Sequence, residues 1–324
     1  MSGLAVQACS ASTNGQRMGQ GASPSDALEL GRAIDMVPAA GLVWLVEMNP
    51  RDLLSRSALG PAVAMIVPEA RFDAFARRRG GLDLRRADQI VIAAYPKATL
   101  VVARVPFEPG RVDAAFVALG GAEQGRTVEH GVTRMWRNVK GEHEEVALLA
   151  GKALIVERGQ LGLLRAAVYF AEGRLRRSLP VLRAEPLASA ASMVGEAPLR
   201  AFAPGPFEGE WARGLAGLLR ATTAVALSMR PVAHPTHSAL ALRILLTGAW
   251  GRDATAAGER LRSAFGVLMA DPVGLLTGID HPLEGPTVTA DAGALTLDVT
   301  LDALAAARGV HSMADASIAE IMAY

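Results

Sequence analysis

One cysteine in 324 residues leaves no partner for an intramolecular disulfide, so the fold has no cystine framework and the count fixes no redox compartment. No apolar run reaches the ~20 residues that span a bilayer. The longest, "LGPAVAMIVP" and "TTAVALSM", have the length of core elements. Aromatics are few (8 Phe, 4 Trp and 3 Tyr), so Leu, Val, Ile, Ala and Met must fill the core. Lysine is nearly absent, with Lys97, Lys140 and Lys152 set against a large excess of arginine. With abundant Ala and Gly, that bias reads as the imprint of a GC-rich genome. The net charge of +1 predicts no strong electrostatic attraction to nucleic acid or to an anionic membrane. The short runs "RRR" at 77–79 and "RLRRS" at 174–178 read as solvated faces.

Hydrophobic residues make up 51% of the chain and charged ones 20%, a balance too apolar for disorder. Length suggests about two domains. The order of elements repeats. "GLVWLVEM" is a strand, "EARFDAFARRRG" a helix, "ADQIVIAAYP" and "ATLVVARVP" a hairpin turning at Pro96-Lys97, and "PGRVDAAFVALGG" a helix. Further strands follow through "KALIVERG", and "QLGLLRAAVYFAEG" is an amphipathic helix. After an Arg/Pro/Ser-rich connector, "APLRAFAP" is a strand and "FEGEWARGLAGLLRA" a helix. "TTAVALSMRP" and "HSALALRILLTGAW" form a hairpin, and "DATAAGERLRSAFGVLMA" is a long helix. "GPTVTADAGALTLDVTLD" is a hairpin turning at Ala292-Gly293, and "ALAAARG" is a helix. The expected fold is α+β: two similar antiparallel-sheet units with helices packed on one face. The expected units are 35–171 and 196–324, joined by a helical connector at 172–195. Residues 1–24 are expected to be a signal remnant and a disordered tether.

Motifs of chemistry are mostly missing. The Gly-rich pieces lack both the P-loop Gly-Lys-Ser/Thr and the Gly-x-Gly-x-x-Gly spacing, and no nucleophile elbow is present. "HEE" at 143–145 lacks the second histidine of a zinc protease, since position 147 is Ala147. "HPTH" sets His234 and His237 three apart in a hairpin loop, but a zinc site needs a third ligand and none is near in sequence. No cofactor or metal is therefore expected, with His234 and His237 the candidates should one bind. Asp298 and Asp302 have the spacing of strand-edge residues and caps. Trp44, Trp136, Trp211 and Trp250 read as core anchors, or alternatively as the aromatic lining of a ligand groove between the units.

The cysteine itself is informative. Val6-Gln7-Ala8-Cys9 has an apolar residue, a tolerant position, a small residue and then cysteine, and the polar, small, turn-rich run "SASTNGQRMGQGASP" follows. This resembles the lipobox of bacterial lipoproteins, in which the cysteine sulfur takes diacylglycerol and becomes the new N-terminus. Together with "GLDLRRADQIVIAAYP", "ARVPFEPGRVDAAF" and the two-unit layout, the chain resembles envelope lipoproteins without assigned chemistry from Gram-negative bacteria with GC-rich genomes. The resemblance implies lipidation at Cys9, an anchor on the periplasmic side of the envelope, and an unidentified envelope protein or small ligand as partner. It implies no reaction. Two alternatives stand beside it: a hydrolase assembled in space around His234 and His237, and a cytoplasmic globular protein.

The "MSGLAVQA" that precedes Cys9 holds no basic residue and no apolar stretch of signal length. The lipoprotein reading therefore expects an in-frame start upstream of Met1 encoding basic and then apolar residues, which genomic sequence checks. It also expects Cys9→Ala to release the protein from the membrane fraction with an unchanged circular dichroism spectrum.

Overall fold

A computed structural model describes residues 30–312, apart from 57–58, 120–123, 130, 140–141, 176–177, 273 and 275–277. Cys9 and the expected tether lie outside the described residues. Among the described residues twelve strands form a single sheet in the order β11-β12-β10-β9-β8-β1-β2-β3-β7-β6-β5-β4, and every neighbouring pair is antiparallel. The strands are β1 (Trp44–Met48), β2 (Gln89–Tyr95), β3 (Ala98–Arg104), β4 (Gln124–Glu129), β5 (Val132–Val139) and β6 (Glu142–Leu149). They continue with β7 (Ala153–Arg158), β8 (Leu199–Pro204), β9 (Thr222–Val232), β10 (Ala239–Gly248), β11 (Glu284–Ala290) and β12 (Ala294–Asp302).

The repeat in the sequence is a repeat in the sheet. The first half is ordered β1-β2-β3-β7-β6 and the second β8-β9-β10-β12-β11, the same path twice, with the hairpin β4–β5 added to the first. The initial strands of the two halves pair with each other, Leu45 opposite Phe202 and Met48 opposite Leu199, so the units are fused into one sheet. At that seam Glu47 lies directly opposite Arg200. Both are buried, and Arg200 donates from Nε (2.9 Å) and Nη2 (2.6 Å) to Glu47 Oε2. Gln89 Nε2 donates to the other carboxylate oxygen, and Arg200 Nη1 donates to the Gly195 carbonyl at 3.1 Å.

The helices are α1 (Pro50–Ser55), α2 (Gly60–Ile66), α3 (Glu69–Arg78), α4 (Pro109–Leu119), α5 (Leu163–Ala171), α6 (Leu187–Val194), α7 (Ala254–Ala270) and α8 (303–312). The α+β class and the antiparallel pairing agree with expectation. The placing of helices differs, because cover lies on both faces of the sheet. On one face α5, α6 and the 3-10 turn Ala33–Met36 pack on Leu45, Val91, Leu100, Ile155 and Phe202. On the other, α3 and α4 press Phe75, Val112 and Phe116 onto Ile90, Ala103 and Leu148. There too α7 presses Leu261 and Phe265 onto Leu242, Leu246 and Leu297. The reason is legible in runs such as "QIVIAAY" and "ATLVVAR", which are apolar at nearly every position, the pattern of strands buried on both sides. The connector is likewise part of the core, since Leu187, Ala190 and Val194 of α6 are buried.

One expected helix does not form. "FEGEWARGLAGLLRA" folds as two 3-10 turns, Trp211–Arg213 and Leu215–Ala221, with Leu215, Ala216 and Gly217 at positive φ. Gly209, Gly214 and Gly217 break a pattern that is helical by hydrophobic spacing alone.

Removing one partner of a buried ion pair strands the other charge, at about 3–5 kcal/mol, whereas an apolar pair of similar volume is often neutral. Glu47→Leu is therefore expected to destabilise the chain by about that amount, and Glu47→Leu with Arg200→Met to recover most of the loss. Denaturant unfolding of the three proteins measures this.

Candidate functional site

The face that carries α5 and α6 is not covered to its edge. Beyond Leu245 and Ala294 the strands β9, β10, β12 and β11 turn polar on that face and form an open tray of about 440 Å³. Sheet register builds it. Arg230 pairs with Ala241, Ala241 with Thr300, and Thr300 with Glu284, giving one cross-strand row. The next row on the same face holds Ser228, Arg243, Asp298 and Thr287. Period-two alternation accounts for this. In "ALTLDVTLD" Leu295, Leu297, Val299 and Leu301 are buried under α7, which leaves Thr296, Asp298 and Thr300 on the opposite side. Small Ala241 forms the floor between Arg230 and Thr300.

Most of the tray's charge is internally matched. Arg243 donates to Asp298 from Nε (2.7 Å) and Nη2 (3.1 Å), a forked pair that raises the Arg243 pKa. Thr300 Oγ1 donates to Glu284 Oε2 at 2.8 Å. Arg230 is exposed, lines the tray, and makes no hydrogen bond or ion pair among the described residues.

The two histidines of the β9–β10 loop are brought together, with ring centroids 5.2 Å apart. His234 lines the tray, and its Nδ1 accepts the Thr236 N–H at 3.4 Å, which assigns the proton of the neutral ring to Nε2. His237 Nδ1 lies 3.0 Å from Asp302 Oδ2, and this is its one hydrogen bond among the described residues. Asp302 also caps α8, accepting the Ala305 N–H at 2.8 Å. Among the described residues a histidine–carboxylate pair is thus present without a nucleophile hydrogen-bonded to it. Among the described residues, no group of three or more His, Cys, Asp and Glu side chains could hold a metal ion.

The tryptophans occupy four separate places. Trp250 is buried against α7, with its Nε1 unpartnered among the described residues. Trp136 on β5 lies across Gly125 of β4, where an added Cβ would come within 2.0 Å of the indole ring, so the glycine makes room for the tryptophan. Trp44 is half-exposed at the start of β1, and Trp211 is 72% exposed on its 3-10 turn. None of the four lines the tray. Sequence reasoning missed Arg230, Arg243, Glu284 and Thr300 as a group. The available signal was the alternation of β12, in which every second residue is polar.

The fold and site define an α+β protein with one twelve-stranded antiparallel sheet, assembled from two like halves and bearing an open polar tray on the second. No family model matches the chain, and no curated protein matches it in sequence. Two solved structures of TP0453 are similar to it. Crystal form IV has 11% identity and a TM-score of 0.48, over 89% of this chain and 100% of that one. Crystal form I has 12% identity and a TM-score of 0.42, over 88% and 98%.

Asp302 provides a test of the loop's electrostatics. Partial burial pushes its carboxyl up, but bonds from the Ala305 N–H, His237 and the Leu304 N–H outweigh this and hold it below its ordinary value. A carboxylate lowered in the folded state adds stability above its ordinary pKa and loses it as pH falls through the lowered one. Asp302→Ala should therefore cost about 1 kcal/mol at neutral pH, as lost helix caps do, with the difference narrowing toward pH 2. Denaturant unfolding across that pH range reads it.

Proposed function

We propose that this chain is a lipid-anchored protein of the cell envelope, held through Cys9, that acts by binding a polar ligand or partner in the tray and not by turnover. The anchoring part rests on the Val6-Gln7-Ala8-Cys9 stretch and the tether-like composition after it. No described helix is long and apolar enough to cross a membrane, which leaves attachment to the cysteine in this reading. One observation carries the binding part: the tray's Arg243–Asp298 and Glu284–Thr300 partners are committed to each other. Groups paired in this way shape and orient, whereas general acid–base work needs a group poised against a reacting atom.

The His237–Asp302 contact supports a second reading, a hydrolase centred on that pair. Among the described residues it has no aligned nucleophile, and Asp302 already has a structural task at the start of α8.

Both readings can be tested with purified protein. Polar small molecules from an envelope extract should raise the melting temperature of the wild-type chain and fail to raise that of Ala241→Phe, whose side chain fills the tray floor. Turnover of simple ester or phosphoester substrates that is abolished by His237→Ala would establish the hydrolase instead.

A further inference from the structure

We infer that the Arg230 end of the tray is a site for an anionic phosphate group, presented by a lipid headgroup or as free phosphate. The inference deepens the binding reading above and rests on it.

The tray is polarised. Arg230 and Glu284 stand at opposite ends of one cross-strand row, three strand spacings or roughly 14 Å apart. Around Arg230 the lining groups are Arg243, with its charge shared by Asp298, and His234, whose assigned Nε2–H is a donor. The carboxylate not held by an arginine, Glu284, is at the far end. The Arg230 guanidinium is the tray's charged group without a protein partner among the described residues. A guanidinium fork beside a second arginine and an imidazole donor suits a group with several anionic oxygens. Ala241 leaves space above the floor for it.

The position of the tray favours a headgroup. The Arg230 row lies one step past the row Met229–Leu199–Met48–Ile90, and on β2 that same step reaches Gln89. Gln89 Oε1 accepts the Ala33 N–H at 2.5 Å, and the neighbouring Arg104 Nη1 donates to the Gly31 carbonyl at 2.9 Å. The chain that leads back to Cys9 therefore leaves the sheet on the tray's face and at the tray's end. Gln89 and Arg230 are again three strand spacings, roughly 14 Å, apart. In the anchored reading proposed above, this end of the sheet is where the described chain joins the segment that carries Cys9.

The test uses the full chain with Cys9→Ser, so that an acyl anchor does not mask weaker contacts. It compares binding to phosphatidylcholine vesicles with and without phosphatidylglycerol, and separately to inorganic phosphate. Arg230→Glu and Ala241→Phe are expected to weaken binding about tenfold or more, the loss of a charge-assisted contact, with unchanged melting temperatures. Arg252→Glu makes the same charge change at the opposite end of β10 and is expected to have little effect. Vesicle binding that is lost in the two tray variants identifies a headgroup. Phosphate binding without vesicle binding, lost in the same variants, identifies free phosphate. The inference is overturned if neither probe binds, or if Arg252→Glu weakens binding as much as Arg230→Glu. Lipidation at Cys9 is read independently, by membrane fractionation of the unsubstituted chain, so the two can fail separately.

Discussion

A buried ion pair, Glu47 with Arg200, ties the first half of this protein to the second. Two charges removed from water at the centre of a wide sheet require full satisfaction, and here they have it. The carboxylate receives both arginine nitrogens and the Gln89 amide, and the guanidinium also reaches the Gly195 carbonyl. The pair also fixes register. A one-residue slip between β1 and β8 would carry Glu47 to the other face and part it from Arg200. The small cluster of Leu59 and Ala62 with Ala303 and Ala307 adds a second, apolar link, joining α2 of the first half to α8 of the second.

Much of the fold is legible in the chain because its strands are short, apolar and bounded by turn residues. Pro96-Lys97 joins β2 to β3, and β11 turns into β12 around Asp291, whose side chain accepts the Gly293 and Ala294 N–H groups. The doubled element order was readable for the same reason. What could not be read was how the units would meet, since pairing between β1 and β8 depends on partners far apart in sequence. The side of the sheet each helix takes was equally hidden. Continuous apolar strands report burial on both faces without saying what provides it. The stretch 207–221 misled because its hydrophobic spacing is helical while its glycines interrupt that spacing and the chain turns left-handed at Leu215, Ala216 and Gly217.

The candidate site was less legible. His234 and His237 declared themselves as a pair, and Asp302 was visible as a strand-edge or capping carboxylate, which it is at the start of α8, but its contact with His237 was not. The tray belongs to positions that look ordinary one at a time: an arginine after "LSM", an alanine in "ALALR", a threonine in "LDVTLD". Only register gathers them. The two halves also use corresponding strands differently. In the first, β3 and β7 offer Leu100, Val102 and Ile155 to α5 and its neighbours. In the second, β10 and β12 turn Ala241, Arg243, Asp298 and Thr300 toward the open tray. One copy keeps the work of burial, and the other is free to carry a site.

The seam has a consequence for the order in which the chain is made. Glu47 and Arg200 are 153 residues apart, whereas β1 with β2, β2 with β3 and β6 with β7 close over shorter stretches of chain. As the polypeptide emerges, the first half can complete its own ladder while β1 remains an open edge carrying Glu47, a buried-type charge with no arginine yet synthesised to meet it. An unpaired hydrophobic edge invites wrong partners, including another nascent copy. A carboxylate in the middle of "WLVEM" makes such pairing costly unless the incoming strand brings a matching cation. The same residue that closes the finished sheet thus guards it while it is half made.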